Sequence, residues 1–592
     1  MRKTTTFFIS TFLLLSLHAI AGTMAGVYKV GSVTNANYPT LSAAIDSINI
    51  ATITGDIILE ISSDITEPTN FGLGKDMGNY KLTIRPDADA DRTITFTQAA
   101  ANAGPYGHFV IGCATANLGA ALSDATVVAT SNVTIDGYAN GSSTKRLKFT
   151  TSTSALTGSV ILNIVGGSAN TTIKNAIIEN QATGSNPRCI YITQFKGTTL
   201  DVSPSNILIE NNSIKSVPTL STINGIGIQC TKSGTPTNWI ENLDIKNNSI
   251  TTSGNGIEIY YANGADIMGN EFKVQKQTGT GISSAIWFRG KQGNMNVIGN
   301  KFTETSLLAT SGTVSTYTIS VSASASNSFN LNIFNNTFSG MNRSTSGATA
   351  LNQCYIGDAG YGTTKVYNNT FYLPALTTPT QPGYYNAIKF TGSGKIADIQ
   401  NNIFISNEDE LSVLISDPVT SGAMNNNIYF LRAGNANAKV IGSYSTLSAF
   451  KLANTTLEVN SKSVDVNFID AAAGNLLLTG TSIQDVNLKV PSLAAVTTDI
   501  LGKIRNTLFT YAGAHESTDF PITSIDKVVA PIGLYATKDG IDIRVNKTSI
   551  VELFNLNGTF IDKKIVDDVY SHNLNKGIYI VKVNGVAHKF VK

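Results

Sequence analysis

The sequence predicts an all-β protein whose long middle part is a parallel β-helix, a solenoid of stacked coils. The first observation is a short phrase that recurs: an aliphatic residue, a spacer, Asn or Gly, Asn, another spacer, then Ile or Phe. Its copies start at Ile209, Ile245, Ile267, Val297, Ile333, Val366 and Ile399. Successive copies lie 22 to 36 residues apart, and a period of this length is typical of a solenoid.

The second observation is the chemistry of the two polar positions. The first is always Asn or Gly, which most readily adopt a left-handed backbone, so we expect a bend there. The second is Asn at the same place in every coil, and coils about 4.8 Å apart allow these amides to hydrogen-bond along a ladder. In an earlier copy at Ile173, Ala176 takes this position, so the ladder starts or is interrupted there. The predicted ladder consists of Asn212, Asn248, Asn270, Asn300, Asn336, Asn369 and Asn402.

The third observation is the composition. Charged residues make up only 14% of the chain, and the 51 glycines are abundant, as expected for many short strands joined by turns. The net charge is +2 and no basic run occurs, so the sequence indicates no nucleic-acid partner. A neutral or mildly polar partner fits this composition better.

The first 21 residues have the layout of a secretory signal peptide. Arg2 and Lys3 precede an apolar run from Phe7 to Ile20, and small residues follow around Ala21. This run is too short for a confident membrane span, and no other segment approaches that length without polar residues. We therefore expect a secreted or surface-attached, extracellular protein with no membrane span in its mature form.

The remaining chain divides into three predicted parts. Residues 22–515 form the β-helix, and a short amphipathic helix over Tyr38 to Asn49 caps its N-terminal end. At about 30 residues per coil this length predicts roughly sixteen coils. Residues 516–525 are polar and without period, as in a linker. Residues 526–592 read as short strands with turns between them, which predicts a small antiparallel β-sandwich.

The C-terminal region resembles a known secretion module. The runs from Val551 to Gly558 and from Leu574 to Gly585, followed by Lys589 to Lys592, are similar to the type A C-terminal sorting domain of type IX secretion cargo in Bacteroidetes. This resemblance implies recognition by the type IX secretion machinery and passage across the outer membrane. It also implies removal of the domain, with the passenger released or attached to surface lipopolysaccharide.

The long middle part resembles the pectin-lyase-like, right-handed parallel β-helix superfamily. The stretch from Tyr38 to Asn49 is similar to the N-terminal cap of that superfamily. The runs Val464 to Leu478 and Thr498 to Glu516 are similar to the closing coils of surface β-helix proteins, although the usual acidic residue before Gly513 is absent. The superfamily includes lyases, hydrolases, esterases and adhesins, so the resemblance does not choose among them.

Outward residues on the strands upstream of the corner phrase form a candidate binding surface. Aligning the strands by their inward aliphatic residues brings aromatic rings and hydrogen-bonding groups onto one face. Rings offer stacking area to sugars, while charged groups fix their orientation. The alternative is that these are the scattered aromatic residues of any solenoid surface. The predicted substrate-binding residues are Tyr191, Gln229, Glu258, Tyr260, Trp287, Arg289 and Lys389.

The same surface offers little for catalysis. Glycoside hydrolysis needs two carboxyl groups about 5–9.5 Å apart, but Glu258 has no aligned acidic partner on this face and Asp266 is expected to face elsewhere. The histidines lie near the two ends of the chain, so the central coils have no imidazole base. No metal or cofactor is indicated, and Ca²⁺ enters only if the protein is a lyase with Arg289 or Lys389 as base.

The sequence therefore favours an adhesive or polysaccharide-binding protein. The alternative function is a polysaccharide lyase or glycoside hydrolase that acts on uronate-containing polysaccharide. A third hypothesis is a structural surface protein that recognises no sugar.

Overall fold

The computed structural model describes most of the chain beyond the predicted signal peptide, which lies outside the described residues. Most of the predicted linker lies outside them as well. The described residues are 22–97, 107–114, 121–152, 159–184, 186–217, 224–276, 281–307, 314–322, 329–343, 350–357, 362–376, 385–391, 397–407, 412–417, 422–432, 438–518, 520, 533–545 and 548–592. They form two compact units, which divide between Ser517 and Thr518.

Three long parallel sheets make up most of the first unit, and from Thr52 onward each coil contributes a strand to sheet 1, then sheet 2, then sheet 3. Sheet 1 contains Thr23–Val30, Thr52–Ile61, Leu82–Pro86, Val133–Asp136, Ala169–Lys174, Ser205–Glu210, Ile240–Lys246, Ala262–Met268, Lys291–Ile298, Phe329–Phe334, Thr364–Tyr367, Ala397–Gln400 and Met424–Asn425. Sheet 2 contains Ile65–Glu67, Arg92–Phe96, Leu147–Thr151, Ile177–Glu179, Ser213–Ser216, Ser249–Thr252, Glu271–Lys276, Lys301–Leu307, Thr337–Phe338, Thr370–Leu373, Ile403–Ser406 and Ile428–Leu431, with Met341–Arg343 beside Lys301–Leu307.

Sheet 3 follows sheet 2 in each coil. It contains Phe71–Leu73, Phe109–Ile111, Val160–Val165, Arg188–Lys196, Ile226–Ser233, Asn255–Ile259, Gly281–Phe288, Val314–Val321, Leu351–Ile356, Tyr385–Phe390, Ser412–Ser416 and Lys439–Ile441. The short strand Asp201–Val202 pairs antiparallel with Arg188–Lys196. This arrangement is a right-handed parallel β-helix and confirms the predicted fold class.

The recurring phrase forms the corner between sheets 1 and 2. Its first polar residue has positive φ in each copy, for example 52° at Asn211, 56° at Asn247 and 65° at Gly299. The backbone therefore turns where the sequence supplies Asn or Gly, since other side chains avoid this conformation.

The second polar residues stack into a continuous ladder of hydrogen bonds. In a typical rung, Asn270 donates its backbone N–H (2.9 Å) and its Nδ2 (3.0 Å) to Oδ1 of Asn300. The Nδ2 of Asn300 donates to Oδ1 of Asn336 and to the Ile267 carbonyl. Every predicted member takes part, from Asn212 to Asn402, with Asn248, Asn270, Asn300, Asn336 and Asn369 between them. The amides thus satisfy corner groups that are buried from water.

The ladder has a defined beginning and end. It begins at Ala176, whose N–H donates to Asn212 Oδ1 at 2.9 Å. Beyond Asn402 it continues to Asn427, whose N–H donates to the Ser461 hydroxyl (2.8 Å) and whose Nδ2 donates to the Glu458 carboxylate (3.1 Å). Burial raises the pKa of Glu458. The final rung is therefore closed by side chains that do not belong to a coil.

Aromatic rings stack along the axis beneath the same corner. The ring centroids of Phe272, Phe302, Phe338 and Phe371 follow one another at 5.0, 4.8 and 4.4 Å, and Phe404 and Tyr429 continue the row. These distances match the spacing of adjacent coils. All six rings are buried, so the row adds apolar burial and ring stacking to the hydrogen bonds of the ladder.

A helix caps the N-terminal end of the coils. It spans Leu41–Ile50, and Thr40 caps it by accepting the N–H of Ala43. The buried carboxylate of Glu67 accepts the N–H of Leu41 at 2.6 Å. Because Leu41, Ile45 and Ile48 are fully buried, the helix covers core side chains that the first coil would otherwise expose.

The predicted number of coils was wrong, because sheet 1 has thirteen strands in the described chain and its path ends at Met424–Asn425. Chain length alone predicts about sixteen coils, whereas the corner phrase stops after Asn427. Residues 442–517 instead form a helix, Leu447–Ala453, 3₁₀ turns at Gly480–Ser482 and Val486–Leu488, and the short antiparallel strands Phe468–Asp470, Asn475–Leu478, Lys489–Pro491 and Phe509–Tyr511.

This closing segment is fastened to earlier coils by buried polar contacts. Arg505 pairs with Glu516 at 2.9 Å and donates to Asn335 Oδ1 at 2.8 Å. Asn368 and Asn401, the corner residues of the next two coils, donate to carbonyls of Tyr511 and Pro491. Glu516 thus belongs to the packed interior of the first unit.

The second unit contains two antiparallel sheets around its own core. One sheet has Gly533–Ala536, Gly540–Arg544 and Val569–Asn573, and the other has Phe560–Val566, Ser549–Asn555, Ile578–Val583 and Val586–Val591 in spatial order. Ile541, Ile543 and Tyr570 from the first sheet pack with Leu553 and Val581 from the second. This is the expected β-sandwich. None of the helices in the described residues has the length and apolar composition to cross a bilayer.

Replacing Asn300 by alanine tests the ladder. The change leaves the buried Asn270 N–H without its acceptor and removes the side-chain donor to the Ile267 carbonyl, so we expect a loss of about 3 kcal/mol in unfolding free energy. The control is Asn330→Ala, whose exposed side chain donates to Asn294 on the outer face of sheet 1 and is expected to cost less than about 0.5 kcal/mol. Urea unfolding followed by circular dichroism measures both. Equal losses would show that the ladder adds no special stability.

A buried histidine predicts a loss of stability in acid. His108 is fully buried between Asn70 and Ser159, and burial lowers its pKa to about 4. The unfolded chain binds a proton below about pH 6.5, whereas the folded chain does not, so stability falls as pH drops from 6.5 towards 4, by up to about 3 kcal/mol. Urea midpoints across this range should fall less steeply in His108→Gln. Parallel curves for the two proteins would contradict this assignment.

Candidate binding site

The predicted outward residues of the central coils lie on sheet 3 in two neighbouring rows. In the first row, Tyr191 pairs in register with Gln229, Gln229 with Glu258, and Glu258 with Trp287. The row continues through Ser320, Tyr355 and Lys389. The structure therefore places five of the seven predicted residues along one line parallel to the helix axis.

The remaining two predicted residues, Tyr260 and Arg289, form the second row. Each follows directly on its strand, and their backbones are joined to the preceding coils by hydrogen bonds from Tyr260 to Cys230 and from Arg289 to Ile259. Side chains two positions apart on a strand share a face, so Tyr260 and Arg289 lie beside Glu258 and Trp287.

Glu258 is the centre of this cluster. Its side chain is only 4% exposed, and Oε1 lies 3.1 Å from Nη1 of Arg289 while Oε2 accepts a hydrogen bond from Nε2 of Gln229 at 2.8 Å. Both carboxylate oxygens thus have partners. A carboxylate held this way acts as a fixed anchor for its neighbours.

Arg289 is held between two aromatic rings. Its guanidinium carbon lies 4.3 Å from the ring centroid of Tyr260 and 4.3 Å from that of Trp287. Arg289 also donates to the Tyr260 hydroxyl. Burial, reinforced by the neighbouring Glu258, raises the pKa of Tyr260 above its ordinary range, so this phenol stays protonated at neutral pH.

A second basic residue organises the end of the cluster nearer the N-terminus. The Arg188 guanidinium lies 5.1 Å from the Tyr191 ring centroid, and its Nε donates to Oε1 of Gln229. Hydrogen bonds and ion contacts therefore run without interruption from Arg188 through Gln229 and Glu258 to Arg289. The half-exposed rings of Tyr191 and Trp287 stand on this polar network.

Beyond Trp287 the surface changes character. Trp287 donates its Nε1 hydrogen to the Ser322 hydroxyl at 2.6 Å, and Tyr355 stacks on Tyr317 with centroids 4.7 Å apart. Lys389 lies one coil beyond Tyr355 and is separated from Trp287 by two intervening coils. It shares the row but contacts none of the residues around Glu258.

Sequence reasoning missed four residues of this region: Arg188, Trp239, Tyr261 and Tyr355. Arg188 is the first residue of its strand, before the alternation of inward aliphatic residues begins at Ile190. Both Trp239 and Tyr261 directly precede a sheet 1 strand, where the chain turns from sheet 3 to sheet 1. Tyr355 occupies the same strand as Cys354, and its inward neighbours Cys354 and Ile356 carry the alternation that would have revealed it.

A pair of aligned carboxylates does occur, but on sheet 1. Asp244 and Asp266 are directly opposite each other on adjacent coils. Asp266 therefore lies on a different sheet from the predicted binding residues, as expected. Asp244 pairs with Lys246 at 2.9 Å, and Asp266 accepts from Asn296 at 2.7 Å. They line an open groove of about 550 Å³ with mostly polar walls.

The described residues contain no group of three or more His, Cys, Asp or Glu side chains arranged to hold a metal ion. The four cysteines are free and buried, and burial raises the pKa of Cys113 to about 11 and that of Cys189 to about 12. These thiols are therefore protonated and unreactive at neutral pH.

Comparison with known proteins finds similarity in solved structures only. No family model matches the chain, and no curated protein matches it. A structure described as a rhamnogalacturonan lyase is similar with a TM-score of 0.36 and 11% identity, over 75% of this chain and 91% of the other. PfbA, a surface adhesin of Streptococcus pneumoniae, gives 0.29 and 13% over 67% and 89%.

A third similar structure is an endo-xylogalacturonan hydrolase from Aspergillus tubingensis, with a TM-score of 0.20 and 12% identity over 71% of this chain and all of the other. The three proteins differ in activity, and scores this low assign none of these activities to the present chain.

Removing Arg289 tests the proposed anchoring of Glu258. Arg289→Ala leaves a carboxylate that is almost fully buried without its cation, and we expect a loss of about 2 kcal/mol in unfolding free energy. The control is Arg146→Ala, whose partners Asp89 and Asp91 are exposed and whose loss should cost clearly less, because solvent screens exposed ion pairs. Urea unfolding at low salt compares the two variants. If Arg146→Ala is the more damaging change, the Glu258 cluster is not held by its ion pair.

Proposed function

We propose that the protein binds polysaccharide, as a secreted or surface-attached adhesive protein, through the side chains around Glu258 on sheet 3. The observation that carries this proposal is the fixed assembly of Tyr191, Trp287 and Tyr260 rings on a network of buried hydrogen bonds. Rigid aromatic surface beside oriented polar groups is suited to the faces and hydroxyl groups of sugars.

The spacing of the rows supports the same proposal. Adjacent coils are about 4.8 Å apart, and a pyranose ring in an extended glycan advances the chain by a similar length. A glycan that lies parallel to the helix axis therefore places successive sugars beside successive side chains of one row. Because the rings and their polar supports are fixed before the ligand arrives, little side-chain freedom is lost on binding.

Binding without turnover fits the environment of Glu258. General acid or base catalysis needs a carboxyl group free to exchange a proton with the substrate. Glu258 is buried, with one oxygen engaged by Arg289 and the other by Gln229. In the described part of the two rows, no second carboxylate is in register beside it.

Glycoside hydrolysis is the second candidate function, and one observation favours it. Asp244 and Asp266 are aligned in an open groove on sheet 1, and paired carboxyl groups are the usual machinery of this reaction. This site would replace Glu258 and Arg289 as the reactive centre. It shares no residue with the binding surface on sheet 3, so the two functions can be tested separately.

Export is part of the proposal. Residues 1–21 would direct secretion, and the β-sandwich of the second unit would act as the type IX sorting domain. The support is the sequence resemblance of that unit together with its two-sheet core. Whether the mature protein is released or attached depends on how this unit is processed.

A glycan panel tests the binding proposal. Purified full-length protein is titrated calorimetrically with polygalacturonate, a sulfated galactan and a neutral galactan. We expect Trp287→Ala to weaken binding about fivefold, since the loss of a stacking ring is worth about 1 kcal/mol. The control Tyr80→Ala removes an exposed ring at a distant coil and should bind normally. Equal binding by Trp287→Ala and the unmodified protein would refute the proposal.

The same samples are assayed for new reducing ends and for unsaturated products, with and without Ca²⁺. The binding proposal expects neither product. Reducing ends that disappear in an Asp244→Asn, Asp266→Asn double variant would establish the hydrolase function instead. Unsaturated products that disappear in Arg289→Ala would establish a lyase.

A further inference from the structure

Tyr261 has a backbone conformation that is unusual for its residue type. Its φ is 60°, in the left-handed region, which bulky residues rarely occupy because their side chains crowd the backbone. It follows Tyr260 directly, at the end of sheet 3 where the chain turns into sheet 1.

The surrounding coils hold Tyr261 in this conformation. Its carbonyl accepts hydrogen bonds from the buried Gln194 side chain and from the N–H of Ile240 at 3.2 Å. Its own N–H donates to the Gly290 carbonyl at 2.9 Å. A side chain at position 290 would clash with the backbone of Tyr261, because a Cβ there would lie 2.6 Å from the Tyr261 nitrogen.

The Tyr261 ring forms a cluster with the side chains of Trp239 and Lys232. The Trp239 ring meets it edge-on, with centroids 5.3 Å apart and planes at 82°. The Lys232 ammonium lies 4.2 Å from the Tyr261 ring centroid. All three side chains are half-exposed. Two perpendicular rings and a cation thus face solvent at the same place.

The charge of Lys232 is not balanced as that of Arg289 is. Arg289 pairs with Glu258, whereas Lys232 makes no ion pair with any residue that the structure describes. Its contact with the Tyr261 ring fixes the position of the ammonium without cancelling its charge. This cluster therefore presents the positioned Lys232 ammonium to an anionic ligand.

We propose that Trp239, Tyr261 and Lys232 form a separate subsite for an acidic sugar unit. One ring would pack against the sugar face, and Lys232 would pair with its carboxylate or sulfate group. This inference rests on the proposed glycan-binding function, because the subsite adjoins the rows on sheet 3 through Tyr260. In this proposal the two rows contact the hydroxyl groups and ring faces of the glycan. The Trp239, Tyr261 and Lys232 cluster selects for negatively charged sugars.

The test is a titration of the full-length protein with polygalacturonate, a sulfated galactan and a neutral galactan. We expect Lys232→Gln to weaken binding of at least one acidic glycan about tenfold at low salt, while the neutral glycan binds unchanged. The acidic glycan that responds identifies the anion as carboxylate or sulfate. The matched control, Lys273→Gln, removes an exposed lysine from sheet 2 and should bind all three glycans normally.

Tyr261→Gly gives a second, independent measurement. Glycine relieves the strained conformation, so we expect a melting temperature at least equal to that of the unmodified protein together with weaker acidic-glycan binding. A purely structural Tyr261 would show the reverse, a lower melting temperature with unchanged binding.

Two outcomes would overturn the inference, and they differ in what else they overturn. If Lys232→Gln and Trp239→Ala both bind every acidic glycan normally while Trp287→Ala does not, the subsite is wrong and the proposed function stands. If the unmodified protein binds none of the three glycans, the proposed function fails and the subsite fails with it.

Discussion

The hydrogen bonds between asparagine side chains of successive coils are the constraint on which the rest of the first unit depends. Each corner turns through a left-handed residue, which leaves backbone groups pointing along the axis with no strand to receive them. The amide at the next position carries both a donor and an acceptor, so it satisfies the coil below and the coil above. The ladder fixes the register of successive coils at this corner, and this register also aligns the strands of the three sheets and the row of phenylalanine rings.

Because the register is fixed, residues that are far apart in the sequence lie next to each other on adjacent coils. Gln229, Glu258 and Trp287 are about thirty residues apart along the chain, yet they lie side by side because each coil returns to the same angular position. Rigidity follows from the same cause, since a side chain on a paired strand cannot move far from the side chains on either side. The cluster around Glu258 is thus organised by the solenoid itself.

Much of the fold and part of the candidate site were predictable from the sequence. The rest was unpredictable, and the reasons are physical. The recurrence of Asn and Gly identified the fold and the corner, and alternation along strands predicted which face Glu258 and Trp287 share. Alternation says nothing about residues at strand ends, so Arg188 and Trp239 were missed. Length cannot distinguish a coil from a segment folded back on coils, which is why the coil number was overestimated. The Arg505 contacts to Asn335 join residues 170 apart, and no local pattern foretells them.

The way the amide ladder ends has a consequence for association between molecules. A β-helix with an open last rung offers its donors and acceptors to any chain with the same repeat, and two such proteins can grow into a fibre. Here Asn427 is already satisfied by Ser461 and by a buried carboxyl group of Glu458, which Tyr429 also contacts. A second solenoid arriving head-on finds no vacant rung at this terminus, so polymerisation by continuing the repeat is blocked at this end.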